Sequence, residues 1–201
     1  SRSILHFHSL TFLTLFIHES MSLLFAINKQ KGSKTPQNLI DDVMMTTAKS
    51  TLDLIGKTPI LKLQKIVPIN SAEVWLKFEA KNPTGSYKDR MAKSVLENAV
   101  KRGDITVGDT AVEYTSGSTG SSLAFVSAAL GLKFVAVFSD AFSSNKQRTM
   151  EAFGATVHVE KSNGKGITPE LIQRMKTKAF ELSKKGNTFY ADQFGSTDVT
   201  H

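Results

Sequence analysis

The chain has 201 residues, 40% hydrophobic and 21% charged, proportions that allow a buried core and exclude a disordered tail. Lys and Arg number 25 against 18 Asp and Glu, a net charge of +7, but they are scattered in pairs such as Lys101-Arg102 and Lys184-Lys185, with no stripe interleaved with aromatics; this argues against a nucleic-acid partner and leaves anionic small molecules. Cysteine is absent, so there is no disulfide, thiolate metal site or thiol nucleophile, which fits a cytoplasmic setting.

Residues 4–17 are mostly apolar but too few for a comfortable membrane span, so no membrane partner is expected. Only Arg2 precedes the run, and the nearest small-x-small pattern, Ser20-Met21-Ser22, follows the acidic Glu19. Three readings compete: a targeting segment, a degenerate anchor, or translated sequence upstream of the true start, with Met21, Met44 or Met45 as later candidates. We favour the third. His6 and His8 have no second ligand cluster nearby, so no metal site is expected. Residues 30–42 read as a polar linker, which sets residues 1–45 apart as an N-terminal extension.

After Gly56-Lys57-Thr58-Pro59, the runs Ile60–Leu63 and Val74–Phe78 read as strands. Ala92, Val95, Leu96, Ala99 and Val100 then recur at i, i+3, i+4, i+7 and i+8, the apolar stripe of a helix that Gly103 can close. From there strands at 111–114, 134–139, 156–160 and 188–191 alternate with helices near 120–131, 144–153 and 168–185. The last helix has an N-cap residue in Thr168, Pro169 at its first position and Gly186 beyond its end. Ser162–Gly166 lacks phosphate-loop spacing and reads as an ordinary turn. The alternation predicts an α/β fold, a parallel sheet with helices on both faces, with ligands at the carboxyl ends of its strands.

Two loops are expected at such ends. Asn82–Arg90 follows the Phe78 strand and opens the Ala92 helix; Thr115–Gly120 follows the Tyr114 strand and opens the next. Each places hydroxyls and free amides at a helix start, where the unpaired N–H groups and the dipole favour an anion. A lysine at such a start, Lys88, faces a dipole that disfavours its charged form, and the neutral amine is what imine chemistry requires. On these residues alone Lys88 is either that reactive amine or a solvated surface lysine. A nucleotide-binding reading of the second loop lacks the Gly-x-Gly-x-x-Gly spacing.

Asn82-Pro83-Thr84-Gly85-Ser86-Tyr87-Lys88-Asp89-Arg90 resembles the Asn-Pro-x-Gly-Ser-x-Lys-Asp-Arg signature of the cysteine synthase family, among the fold-type II pyridoxal-phosphate enzymes to which tryptophan synthase β also belongs. Thr115–Gly120 is similar to the family's Thr-Ser-Gly-Asn-Thr-Gly loop, and Gln193-Phe194 to its Gln-Phe pair; the similarity runs over about residues 50–195 and includes Lys146–Ala155. The resemblance implies that Lys88 carries pyridoxal 5'-phosphate and acts as the catalytic base, and that Ser118 contacts the cofactor. It further implies that Thr115, Ser116, Gly117, Thr119 and Gln193 bind the carboxylate of a small amino-acid substrate. The implied activity is β-replacement or β-elimination, most simply O-acetylserine or serine plus sulfide or a thiol giving cysteine, in a protein that is a homodimer at full length.

Two departures qualify the expectation. Position 118 is serine where the family has asparagine, and serine is shorter with a single donor. The family's glycine-rich loop for the cofactor phosphate, and its Ser or Thr facing the pyridine nitrogen, have no counterpart before His201. Residues 46–80 are therefore read as strands of the family's larger domain, residues 81–201 as its N-terminal α/β domain, and the second domain as incomplete. The alternative is a non-catalytic truncated paralogue or regulatory fragment that binds an amino acid.

Overall fold

The computed structural model of the chain describes residues 48–200, so the expectations for the N-terminal extension, including His6, His8 and the candidate starts at Met21, Met44 and Met45, lie outside the described residues. Among the described residues a 3-10 turn at Thr51–Leu54 is followed by two short strands, β1 (Ile60–Lys62) and β2 (Trp75–Lys77). They pair antiparallel, with Leu61 opposite Leu76. All six of their residues are exposed, including Ile60, Leu61, Trp75 and Leu76, so this ribbon has no covered face.

The rest is a βα succession: α1 (Lys88–Arg102), β3 (Thr110–Tyr114), α2 (Ser118–Leu130), β4 (Lys133–Ser139), α3 (Ser144–Ala152), β5 (Thr156–Glu160), α4 (Pro169–Ser183) and β6 (Thr188–Tyr190). The four later strands form one parallel sheet in the order β5-β4-β3-β6. The chain runs outward from β3 to β5 and then returns to the far side of β3. The reversal of strand order therefore falls beside β3, where an open α/β sheet leaves a crevice at its carboxyl ends.

Both faces of the sheet are covered, as the alternation predicts. Ala111, Phe134, Ala136 and Phe138 pack with α1 and α2 through Ala92, Val95, Leu96, Leu123 and Val126. On the other face Val112 and Val137 meet Leu171, Met175 and Ala179 of α4. Gly103 closes α1 in the left-handed conformation, φ 79°, its amide reaching Ala99 and Val100 carbonyls. Thr168 caps α4 by accepting the Leu171 amide at 3.2 Å.

Two expectations need correction. Val100 does not join the buried stripe of α1; in the last turn of the helix it is 37% exposed. The lysine loop does not follow a strand of the parallel sheet. It follows β2 of the ribbon, and a 3-10 turn at Glu79–Lys81 intervenes.

Candidate active site

Three loops meet at the carboxyl end of the sheet because β4, β3 and β6 are neighbours there. With the start of α1 they line an open cleft of about 490 Å³. Of the residues singled out from the sequence, Lys88, Thr115, Ser116, Ser118, Thr119 and Gln193 all reach it. Gly117 supplies the backbone between them as the N-cap of α2, with φ 143°, a region that disfavours side chains.

The loop after β3 is held by its own first residue. Thr115 Oγ1 accepts from the amides of Gly117 and Gly120, both at 3.0 Å, and is buried. Its oxygen therefore shapes the loop rather than facing solvent. That leaves the amides of Ser118 and Thr119, the first two of α2, with no carbonyl inside the helix to bond. Ser116 is exposed and Ser118 half-buried, so their hydroxyls stand at the cleft surface.

The loop after β6 is tied to this one twice. Thr119 Oγ1 donates to Gln193 Oε1 at 2.7 Å, and Gln193 Nε2 donates to the Tyr114 carbonyl at 3.1 Å. One N–H of that side-chain amide stays available to a ligand. Beneath them lies Glu113, with no exposed surface, whose carboxylate accepts the Gln193 amide and the Tyr114 amide, each at 2.9 Å. Burial pushes its carboxyl up from 4.5 to about 8, although the two amide bonds oppose the shift. Nothing in the sequence pattern singled out Glu113.

The lysine loop is fixed from two sides. Asp89, fully buried, accepts from the Thr84 amide at 2.8 Å, from Thr84 Oγ1 at 2.5 Å and from Ser122 Oγ at 2.5 Å, which ties α1 to α2 one residue after Lys88. On the outer side Arg90 makes a two-pronged pair with Glu79, Nε to Oε2 at 2.7 Å and Nη2 to Oε1 at 2.9 Å. Thr58 Oγ1 donates to Glu79 Oε1 at 2.5 Å, while Asn82 donates to Glu79 Oε2 and accepts the Gly56 amide, binding the Gly56–Pro59 turn to the loop. The Arg90 guanidinium, helped by Thr58 and Asn82, holds the Glu79 carboxyl down at about 2.

Lys88 itself is the first residue of α1 and half-buried, with its Nζ 5.0 Å from the centre of the Tyr87 ring. Among the described residues the cleft lining contains no Asp or Glu; beside its hydroxyls stand Tyr87, Tyr114, Ile172, Met175, Phe194 and a second lysine, Lys146. The donor set suits an aromatic aldehyde bearing acidic oxygens: an amine for the carbonyl, the Ser118 hydroxyl for a phenolic oxygen, apolar and aromatic walls for a ring, and no carboxylate to repel it. Among the described residues no group of three His, Asp or Glu is placed to hold a metal, and no helix is long and apolar enough to cross a membrane.

Residues 51–201 match the sequence profile of the family described as pyridoxal-phosphate dependent enzyme. The chain is 39% identical to cysteine synthase B of Escherichia coli K12 over 155 residues, covering 77% of this chain and 48% of that protein. Among solved structures it is similar to O-ureido-L-serine synthase, with a TM-score of 0.69 at 38% identity over 76% of this chain and 46% of the other. It is also similar to a hydrogen sulfide-producing enzyme from Fusobacterium nucleatum, with a TM-score of 0.65 at 33% identity over 74% of this chain and 48% of the other. The chain thus spans about half the length of the curated relatives it matches. With its lysine loop, its anion-ready helix start and its parallel sheet, the chain belongs to the family of pyridoxal-phosphate dependent enzymes, fold-type II.

Proposed function

We propose that this chain carries the amino-acid half of a β-replacement site, in which an O-activated serine exchanges its β-substituent for sulfide or a thiol, as in cysteine synthesis. The observation that carries the reading is that Lys88, at the first turn of α1, lines the same cleft as the Ser118 and Thr119 amides and the Gln193 side chain. Lys88 Nζ would hold the cofactor, and the Ser118 hydroxyl would contact it. Bound pyridoxal phosphate supplies an electron sink for charge that develops at the substrate Cα.

The chain's own residues bind and orient. The Ser118 and Thr119 amides and Gln193 Nε2 hold the substrate carboxylate, which fixes the Cα–H bond relative to the lysine amine. Lys88 Nζ, released by the incoming substrate amine, would take the Cα proton as the β-substituent leaves as an anion, and would return it to Cα once the sulfur nucleophile has added at Cβ. We assign residues 46–80 to the family's larger domain and 81–201 to the N-terminal one. A homodimer and a cytoplasmic setting belong to the same proposal.

Mixing the purified chain with pyridoxal phosphate, reducing with borohydride and mapping the modified peptide tests the reading. A single adduct at Lys88, lost in Lys88→Ala with the fold unchanged by circular dichroism, supports it. No adduct, or one spread over surface lysines, overturns it and leaves a non-catalytic amino-acid-binding role.

A further inference from the structure

The cleft contains a second ammonium to which the reading above gives no task. Lys146, near the start of α3, is half-buried and faces the cleft with Lys88 and the loop after β3. Its stem lies on that loop: a Cβ placed on Gly117 would stand 2.8 Å from Lys146 Cγ and 3.0 Å from its Cβ. Glycine at 117 therefore answers two demands, a backbone at φ 143° and room for the lysine to cross.

Among the described residues the Lys146 ammonium has no acidic partner. The acids closest to it in the chain are engaged elsewhere, Glu151 with Gln147 at 2.8 Å and Asp140 with the Ser162 amide at 2.7 Å and Lys161 at 3.7 Å. No carboxylate of the described residues lines the cleft to neutralise it. A positive charge drawn partly out of water is unfavourable alone and favourable beside an anion. Helix amides give direction to a bound carboxylate, whereas a lysine adds a point charge that needs no fixed fork geometry.

We propose that Lys146 is a substrate-binding residue: its ammonium pairs with the carboxylate of the amino acid held on the Thr115–Thr119 loop. This rests on the amino-acid reading of the site given above. The stem crosses Gly117, the residue just before the two free amides, and Lys146 lines the same cleft as Ser118 and Thr119. Lys88, on the other element, is left free to serve the carbonyl chemistry. The consequence is a cleft selective for the free α-carboxylate over its neutral amide or ester.

The test is calorimetric binding of L-serine and of L-serinamide, which lacks the carboxylate, to the whole chain as wild type, Lys146→Met and Lys146→Arg. Methionine keeps an unbranched stem over Gly117 and removes the charge. The expected result is a roughly tenfold weaker affinity of Lys146→Met for serine, the scale of one charge-assisted hydrogen bond, with serinamide unaffected and most of the loss restored in Lys146→Arg. Equal losses for both ligands, no loss, or a wild-type chain that binds serine no better than serinamide overturns the proposal. Borohydride trapping on the same variants separates the two readings. An intact Lys88 adduct with unchanged serine affinity in Lys146→Met sinks the role of Lys146 alone. Weaker trapping with unchanged serine affinity moves Lys146 to the cofactor phosphate and also overturns it. No adduct even in wild type sinks the catalytic reading, while the serine and serinamide comparison still decides Lys146.

Discussion

Thr119 and Gln193, 74 positions apart in the chain, share a 2.7 Å hydrogen bond across the point where the strand order reverses. It joins the loop after β3 to the loop after β6, the two loops that hold the substrate carboxylate in the proposed site. Thr119→Val removes the donor and leaves Gln193 Oε1 unsatisfied, while Thr119→Ser keeps it. The valine variant should bind L-serine roughly tenfold more weakly by calorimetry and lose about 1 kcal/mol of stability in urea, with the serine variant near wild type.

Glu113 supports that junction from below and should make stability fall as pH rises. Its carboxyl is held up to about 8 in the fold against 4.5 for the ordinary group, so between these values the folded chain binds the extra proton. The contribution is fully present below about pH 4.5 and is lost as pH rises towards 8, a change on the order of 3 kcal/mol. Urea melts at pH 5 and pH 8 should show this decline in wild type, and a flatter profile in Glu113→Gln. A wild-type profile as flat as the variant's would refute it.

Glu79 works in the opposite direction. Its carboxyl is held down at about 2 by Arg90, so the stability it brings is present above the ordinary carboxyl range and is lost as pH falls through about 2. Glu79→Gln removes the charge and one of the two oxygens that accept from Arg90, and weakens the anchorage of Asn82. Faster hydrogen exchange at the Gly56 amide, with the parallel sheet unaffected, is the expected outcome.

Gly120→Ala, a change that usually favours a helix, should here destabilise. The added methyl would lie 2.3 Å from Met150 Sδ and 2.6 Å from Thr115 Cγ2, inside the packing that shapes the loop. A loss of about 1–3 kcal/mol in urea unfolding is expected, together with weaker serine binding, because Thr115 must move and release the Gly117 amide.

The later elements were legible in the sequence because each strand and helix carries its own period. The β5 limits agree with those read from the residues, and Thr168 and Gly103 mark helix ends by chemistry that is local. Lys88, the second loop and Gln193 were legible through motif spacing, and the fold brings them to one cleft. What escaped depends on contacts distant along the chain. An acid within a strand reads as solvent-facing, yet Glu113 is buried by the return of β6 and the Gln193 amide. Lys146 sits in a polar helix start and becomes part of the cleft only because β4 lies beside β3. The pairing of β1 with β2 was equally hidden, since strands of three exposed residues carry almost no pattern.

The β1–β2 ribbon has a further consequence for how the molecule comes apart. Two strands without a covered face are marginal alone, and the Gly56–Pro59 turn is fastened to the rest through Glu79, Asn82 and Arg90. The ribbon is therefore expected to open as a unit of its own before the parallel sheet does. Among the described residues, a brief exposure to protease in native buffer is expected to nick this ribbon first, between Leu63 and Val74, and to leave the βα core intact.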